Sequence, residues 1–134
     1  MKDGLVKALN QALATEHQAW LMYHTHASLV TGLYSEPVVE RLKEIADDEK
    51  KHMDMLRARI VALGGEPTME VARTYPASKI NEMLKINIRE EEKAVRMYQG
   101  ILAMVDPKDQ ILHHALRHII IDEQEHIEEL TQLL

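Results

Sequence analysis

The chain has no cysteine and no phenylalanine, a single tryptophan, and only 5 glycines and 4 prolines in 134 residues. Without cysteine there is no disulfide framework, no thiolate zinc site and no iron–sulfur ligation. With aromatics at 4%, the core must be built from Leu, Ile, Val, Ala and the 8 methionines, which are expected mainly as core filler. Few helix breakers in a chain that is 46% hydrophobic and 28% charged point to an ordered, mostly helical protein. No apolar run approaches the ~18–20 residues of a membrane helix. The densest is Ile119-Ile120-Ile121. The opening MKDGLVKALNQ is not a signal peptide, because Asn10 and Gln11 interrupt its apolar stretch, so a cytoplasmic location is expected. A net charge of −6 argues against nucleic acid as a partner and suits attraction of small cations. This length fits one domain, residues 1–134, burying roughly two thirds of its unfolded surface.

What is present is a repeat. EHQAWLMY at 16–23 and EEKAVRMY at 91–98 share Glu, Ala, Met and Tyr in register. DEKKHMDML at 48–56 and DEQEHIEEL at 122–130 share Asp-Glu-x-x-His and a closing Leu. Glu91 follows Glu16 by 75 residues and Glu123 follows Glu49 by 74, so the chain is two copies of one unit. Each unit carries a lone Glu on its first element and Glu-x-x-His on its second. On a helix, positions i and i+3 put the carboxylate and the imidazole on one face.

The periodicity predicts four helices. The first runs from a cap at Asp3 to about Thr31, where Gly32 stops it. Its stripe is Leu5, Leu9, Ala12, Glu16, Ala19, Tyr23, His26 and Val30. Ser35 and Pro37 open the second, with Pro at the first helical position. Its stripe, Leu42, Ile45, Glu49, His52, Leu56, Ile60 and Leu63, ends at Gly64-Gly65. Glu66 to Ala77, with Pro67 and Pro76, has no sustained period and reads as a long crossover. Ser78 caps the third helix, with stripe Leu84, Ile88, Glu91, Val95, Tyr98, Leu102 and Val105. Asp106-Pro107 opens the fourth, where Leu112, Leu116, Ile119, Glu123, His126 and Leu130 align. Two short-looped hairpins joined by one long crossover, between helices 2 and 3, make an all-α four-helix bundle of the ferritin-like type.

Glu16, Glu49, Glu91 and Glu123 thus fall mid-stripe on four helices. Burying an ionised carboxylate alone costs several kcal/mol, and four together also repel, so something cationic is needed among them. Two divalent ions balance the four carboxylates, with His52 and His126 as neutral ligands. Oxygen-rich ligation with two nitrogens and no sulfur favours iron or manganese over a structural zinc site. Two lone Glu plus two Glu-x-x-His is the ligand set of di-iron carboxylate bundles. Glu49 and Glu123 are expected to bridge the ions, Glu16 and His52 completing one and Glu91 and His126 the other. Asp48 and Asp122 are placed to accept the outer N–H of a ligand imidazole on the opposite helix. Tyr23 and Tyr98, two turns beyond Glu16 and Glu91, are placed to hydrogen-bond a carboxylate across the bundle. Glu90 and Glu92 are expected in solvent, and His17, His24, His113, His114 and His118 on the surface.

These residues resemble bacterioferritin along nearly the whole chain. LNQALATEHQAWLMYHTHA is similar to that family's Glu-x-x-Ala-x-x-x-Tyr-x-x-His segment, matching at Glu16, Ala19, Tyr23 and His26. ADDEKKHMDMLRARIVALGGEP and DEQEHIEELTQLL match at Glu49, His52, Glu123 and His126. The resemblance implies a ferroxidase in which these Glu and His ligands, with Glu91, are also the catalytic residues. Two Fe(II) ions react with O2 or H2O2 and leave as Fe(III) mineral stored in a hollow homo-oligomeric shell. Manganese or zinc could take the iron positions.

Two features depart from that pattern. The family's haem-ligating Met directly follows the second-helix ligand Glu; here that position is Lys50, so haem is not expected. The sequence ends at Leu134, directly after the fourth helix, without the fifth helix that lines the fourfold channels of the 24-subunit shell. A twelve-subunit shell or a dimer therefore stays open beside the full cage. The alternative function is a rubrerythrin-like peroxide reductase or small di-metal oxidase without mineral. A helical assembly protein whose metals only hold the bundle is the non-catalytic reading.

Overall fold

A computed structural model describes residues 2–134 as four helices and no strand. They are α1 (Lys2–Leu29), α2 (Ser35–Ala62), α3 (Ile80–Leu102) and α4 (Gln110–Gln132). The expected architecture is the observed one: all-α, two hairpins, and an irregular connection between α2 and α3. Among the described residues no helix is long and apolar enough to cross a membrane.

The residues of the four stripes are buried or half-buried throughout. Apolar residues form two cores. Leu9, Leu13, Leu56, Ile60, Leu112, Leu116 and Ile119 centre one, and Leu42, Ile45, Ala46, Leu84 and Leu130 the other. Each of the leucines and isoleucines contributes about 1.5–3 kcal/mol on burial. Between the two cores lies a layer of buried polar side chains, Glu16, Glu49, His52, Glu91, Glu123 and His126. The apolar cores flank that layer on either side.

The long connection is needed because α2 ends beside the start of α1, whereas α3 begins beside its end. It runs alongside α1 in the same direction, pinned at intervals. Asn10 Nδ2 donates to Glu66 O (3.0 Å) and Thr68 N–H donates to Asn10 Oδ1 (2.8 Å). Farther along, Ala72 N–H donates to Ala14 O (3.0 Å), and His26 Nε2–H donates to Tyr75 O (2.9 Å).

Helix ends differ from expectation in four places. Asp3 lies inside the first turn of α1 rather than capping it, since the helix already includes Lys2. Tyr34 precedes α2 without a side-chain cap bond, so Ser35 and Pro37 are both helical. Lys79, not Ser78, precedes α3, and the Ser78 N–H instead donates to Glu82 Oε1 (3.0 Å). The α4 cap is Asp109, whose carboxylate accepts from Leu112 N–H (3.1 Å); Asp106 and Pro107 belong to a turn closed by Lys108 N–H on Asp106 Oδ1 (2.9 Å). The end of α2 is as read. Gly64 has φ +85°, and Gly64 N–H to Val61 O with Gly65 N–H to Ile60 O, both 2.9 Å, form a Schellman motif. Core filler describes Met22, Met53 and Met83, but Met69 is 94% exposed on the crossover.

Candidate metal centre

Glu16 on α1, Glu49 and His52 on α2, Glu91 on α3, and Glu123 and His126 on α4 meet in the polar layer. None is more than 2% exposed. They fall into two groups whose donor atoms lie within 4.8 Å of one another: Glu16, Glu49, His52 and Glu123, and Glu49, Glu91, Glu123 and His126. Glu49 and Glu123 belong to both. His52 Nδ1 lies 3.4 Å from Glu16 Oε1, 3.5 Å from Glu49 Oε1 and 3.3 Å from Glu123 Oε1. His126 Nδ1 lies 2.7 Å from Glu91 Oε2 and 3.4 Å from Oε1 of both Glu49 and Glu123. Each group thus holds one lone Glu, one His and the two shared Glu.

Both imidazoles are held from behind. His52 Nε2–H donates to Asp122 Oδ2 (2.8 Å) on α4, and His126 Nε2–H donates to Asp48 Oδ2 (2.9 Å) on α2. Each bond crosses to the opposite helix, as the Asp-Glu-x-x-His spacing suggested. It fixes the ring so that Nδ1 points into the cluster. The hydrogen bond from His126 lowers the Asp48 carboxyl below its usual range.

The tyrosines are not equivalent. Tyr98 OH donates to Glu16 Oε2 at 2.7 Å, whereas the Tyr23 hydroxyl, equally buried, has no partner. Burial and the surrounding carboxylates raise both phenol pKa values well above 10.

Burial first, then the neighbouring carboxylates, push Glu49 well above the ordinary carboxylate range. Glu91 also rises, by burial and by Glu123, against the pull of His126. Glu123 goes the other way: burial opposes its charge, but contacts from His126 and His52 outweigh it. Burial also disfavours charge on His52, yet the close approach of the Glu123 and Glu16 carboxylates raises it to about 11; His126 is raised likewise by Asp48, Glu123 and Glu91. In the metal-free chain, then, the shifts of Glu49, Glu91 and the imidazoles all favour their protonated forms, which opposes the repulsion among the carboxylates.

The cluster is also short of partners. Glu16 Oε1, both oxygens of Glu49, His52 Nδ1 and Glu123 Oε1 are buried with no hydrogen bond. Leaving such an atom unsatisfied costs about 1–3 kcal/mol each. Four carboxylates and two inward-facing imidazole nitrogens converge here, and the unpartnered atoms of Glu16, Glu49, His52 and Glu123 fit a pair of divalent ions.

Other polar residues depart from expectation. Glu90 is not solvated: its side chain is 12% exposed and accepts from Gln18 Nε2 (3.0 Å), a buried amide that the sequence reading passed over. His26 Nδ1 accepts from Asn87 Nδ2 (3.0 Å), so this buried histidine anchors the crossover and stays outside the cluster. Asn87 lies one turn before Glu91, a spacing that could have flagged it. His17, His24 and His113 are half-buried, and His114 and His118 exposed.

Residues 6–134 match the ferritin-like domain family. The chain is 27% identical over 132 residues to a bacterial ferritin of Pseudomonas aeruginosa, covering 97% of this chain and 86% of that protein. Among solved structures, it is similar to a ferritin-like di-iron carboxylate protein from Bacillus anthracis, with TM-score 0.95 and 30% identity over 99% of this chain and 96% of that one. A dodecameric thioferritin, a bacterioferritin-related protein from Bacteroides fragilis, superposes with TM-score 0.91 at 26% identity, covering 98% and 84%. Four antiparallel helices, a long crossover along α1 and a buried carboxylate–histidine layer agree with these matches: the chain belongs to the ferritin-like domain family.

Proposed function

We propose that this chain is a ferroxidase whose centre is Glu16, Glu49, His52, Glu91, Glu123 and His126, working in iron storage or detoxification. The observation that carries the reading is the sharing of Glu49 and Glu123 by two otherwise separate donor groups. Shared carboxylates hold two ions close enough to react together, ~3.5–4 Å apart in paired sites.

Two Fe(II) ions are the substrate. Each gives up one electron, and together they reduce O2 with two protons to H2O2, leaving two Fe(III). Glu49 and Glu123 would be shared by both ions, Glu16 and His52 would complete one position, and Glu91 and His126 the other. Tyr98 holds Glu16 Oε2 and leaves Oε1 for the ion. Asp48 and Asp122 keep the imidazoles aimed inward and share the positive charge they take on. As iron arrives, Glu49, Glu91 and the imidazoles release the protons that stood in for it. The flanking apolar cores limit side reactions with water. Assembly as a homo-oligomer follows by analogy with the dodecameric relative.

The test is anaerobic Fe(II) titration followed by a pulse of O2. The proposal expects two Fe(II) bound per chain and rapid oxidation in the wild type, with both lost in Glu49→Ala. Oxidation at the wild-type rate in Glu49→Ala would refute the assigned centre.

A further inference from the structure

The clustered donors are at most 2% exposed, so any reactant must cross a wall of the bundle. Two cavities meet at one place in that wall, between α1 and α3. The inner one, about 10 Å³, lies over Glu16, Glu49, Glu91 and Glu123 and has room for a single water-sized molecule. The outer one, about 220 Å³, opens between α1, α3 and the crossover. Thr15, Gln18, Glu90 and Ala94 line both. Gln18 is the bar of this partition. Its side chain is 3% exposed, and its amide donates both to the crossover at Arg73 O and to Glu90 Oε1.

The charge at the mouth selects what can pass. Lys93 Nζ lies 3.6 Å and Arg89 Nε 3.1 Å from Glu90 Oε2. Arg73 and Arg89 are held over the Tyr75 ring at 4.9 and 4.7 Å. Arg73 and Lys93 line the mouth with Glu90, and Arg89 pairs with that carboxylate from outside it, so the charge there is net positive and a hydrated divalent ion approaching is repelled. An uncharged molecule of two heavy atoms meets no such barrier, and Ala19, Met22 and Ala94 give it apolar walls.

We propose that the passage between α1 and α3, barred by Gln18, is the port by which the small uncharged oxidant, O2 or H2O2, reaches the carboxylate cluster, and that metal ions do not use it. This rests on the ferroxidase reading of the cluster. Breathing of the Gln18 amide off Arg73 O opens the port, so removing the side chain leaves it open. A larger residue at position 94 closes it.

The test uses nitric oxide, an uncharged diatomic, binding to anaerobic Fe(II)-loaded protein in stopped flow. Co(II) uptake by metal-free protein is followed in parallel by its visible absorbance. Ala94→Leu should slow nitric oxide association about tenfold or more, and Gln18→Ala should speed it severalfold. Co(II) uptake should stay within about twofold of wild type in both. Circular dichroism checks that each variant is folded; should Ala94→Leu not fold, the Gln18→Ala rate decides. Unchanged nitric oxide rates in the folded variants would overturn the port. Co(II) uptake that changes in step with nitric oxide would overturn its exclusivity and make the passage a metal route. Wild-type protein that binds neither Fe(II) nor Co(II) would remove the ferroxidase reading and the port with it.

Discussion

Replacing Glu49 by Gln should stabilise the metal-free protein while abolishing its stabilisation by metal. Glu49 is fully buried, and neither carboxylate oxygen has a hydrogen-bond partner. Its folded-state pKa is raised, chiefly by burial and then by Glu123, Glu16 and Glu91. A raised carboxyl keeps its proton in the folded chain after the unfolded chain has lost it. Stability from this group is therefore complete below about pH 4.5 and falls as pH rises above it. Each pH unit over which that difference persists costs about 1.4 kcal/mol. Glutamine has nearly the same shape and carries no such penalty, so at pH 7 Glu49→Gln should gain about 1–3 kcal/mol, within the range for neutral replacement of buried charge. The assay is urea unfolding of chelator-treated protein at pH 5 and pH 7. The gain should be larger at pH 7 and nearly vanish toward pH 4.5. Adding Mn(II) at about 100 times its Kd should stabilise the wild type by about 2.7 kcal/mol and the variant by much less. A variant less stable than wild type at pH 7 without metal would refute the reasoning.

Other perturbations have defined outcomes. Tyr98→Phe strands Glu16 Oε2 and should cost about 1–3 kcal/mol, whereas Tyr23→Phe deletes a hydroxyl without a partner and should be neutral or stabilising; thermal unfolding compares the two. Because His52 is raised to about 11, the metal-free protein should lose stability as pH rises from about 6.5 to 11, and metal loading in weakly buffered solution at pH 7 should release protons, read with an indicator dye. A Cβ at Gly65 would come 2.5 Å from Val6 Cγ1, so Gly65→Ala should destabilise by about 1–3 kcal/mol in urea unfolding. Haem added to the protein should give no stable Soret complex, since Lys50 is exposed and carries a strongly hydrated charge.

The stripes and the six clustered donors were legible because two signals coincide in them. Helical spacing selects one face, and the repeat selects the same letters twice within it. Asp48 and Asp122 were legible for the same reason, each preceding a repeated Glu by one residue. Helix starts were less so, because several residues near each start are chemically able to cap. Asp106 and Asp109 both qualify, and only the turn closed at Lys108 and Asp109 shows that Asp109 caps α4. The pairing of Gln18 with Glu90 was not legible, since it depends on where the crossover brings Arg73 O. Nor was the difference between Tyr23 and Tyr98, which occupy matching positions of the repeat: Tyr98 reaches Glu16, whereas Glu91 Oε2, the repeat mate of Glu16, is held by His126 Nδ1.

The paired centre is tested most directly by anomalous diffraction from crystals soaked anaerobically in Fe(II). Two iron peaks per chain are expected between the Nδ1 atoms of His52 and His126, ~3.5–4 Å apart, each within bonding distance of both Glu49 and Glu123. A single peak, or iron only at surface carboxylates with the six buried side chains free of it, would contradict the centre.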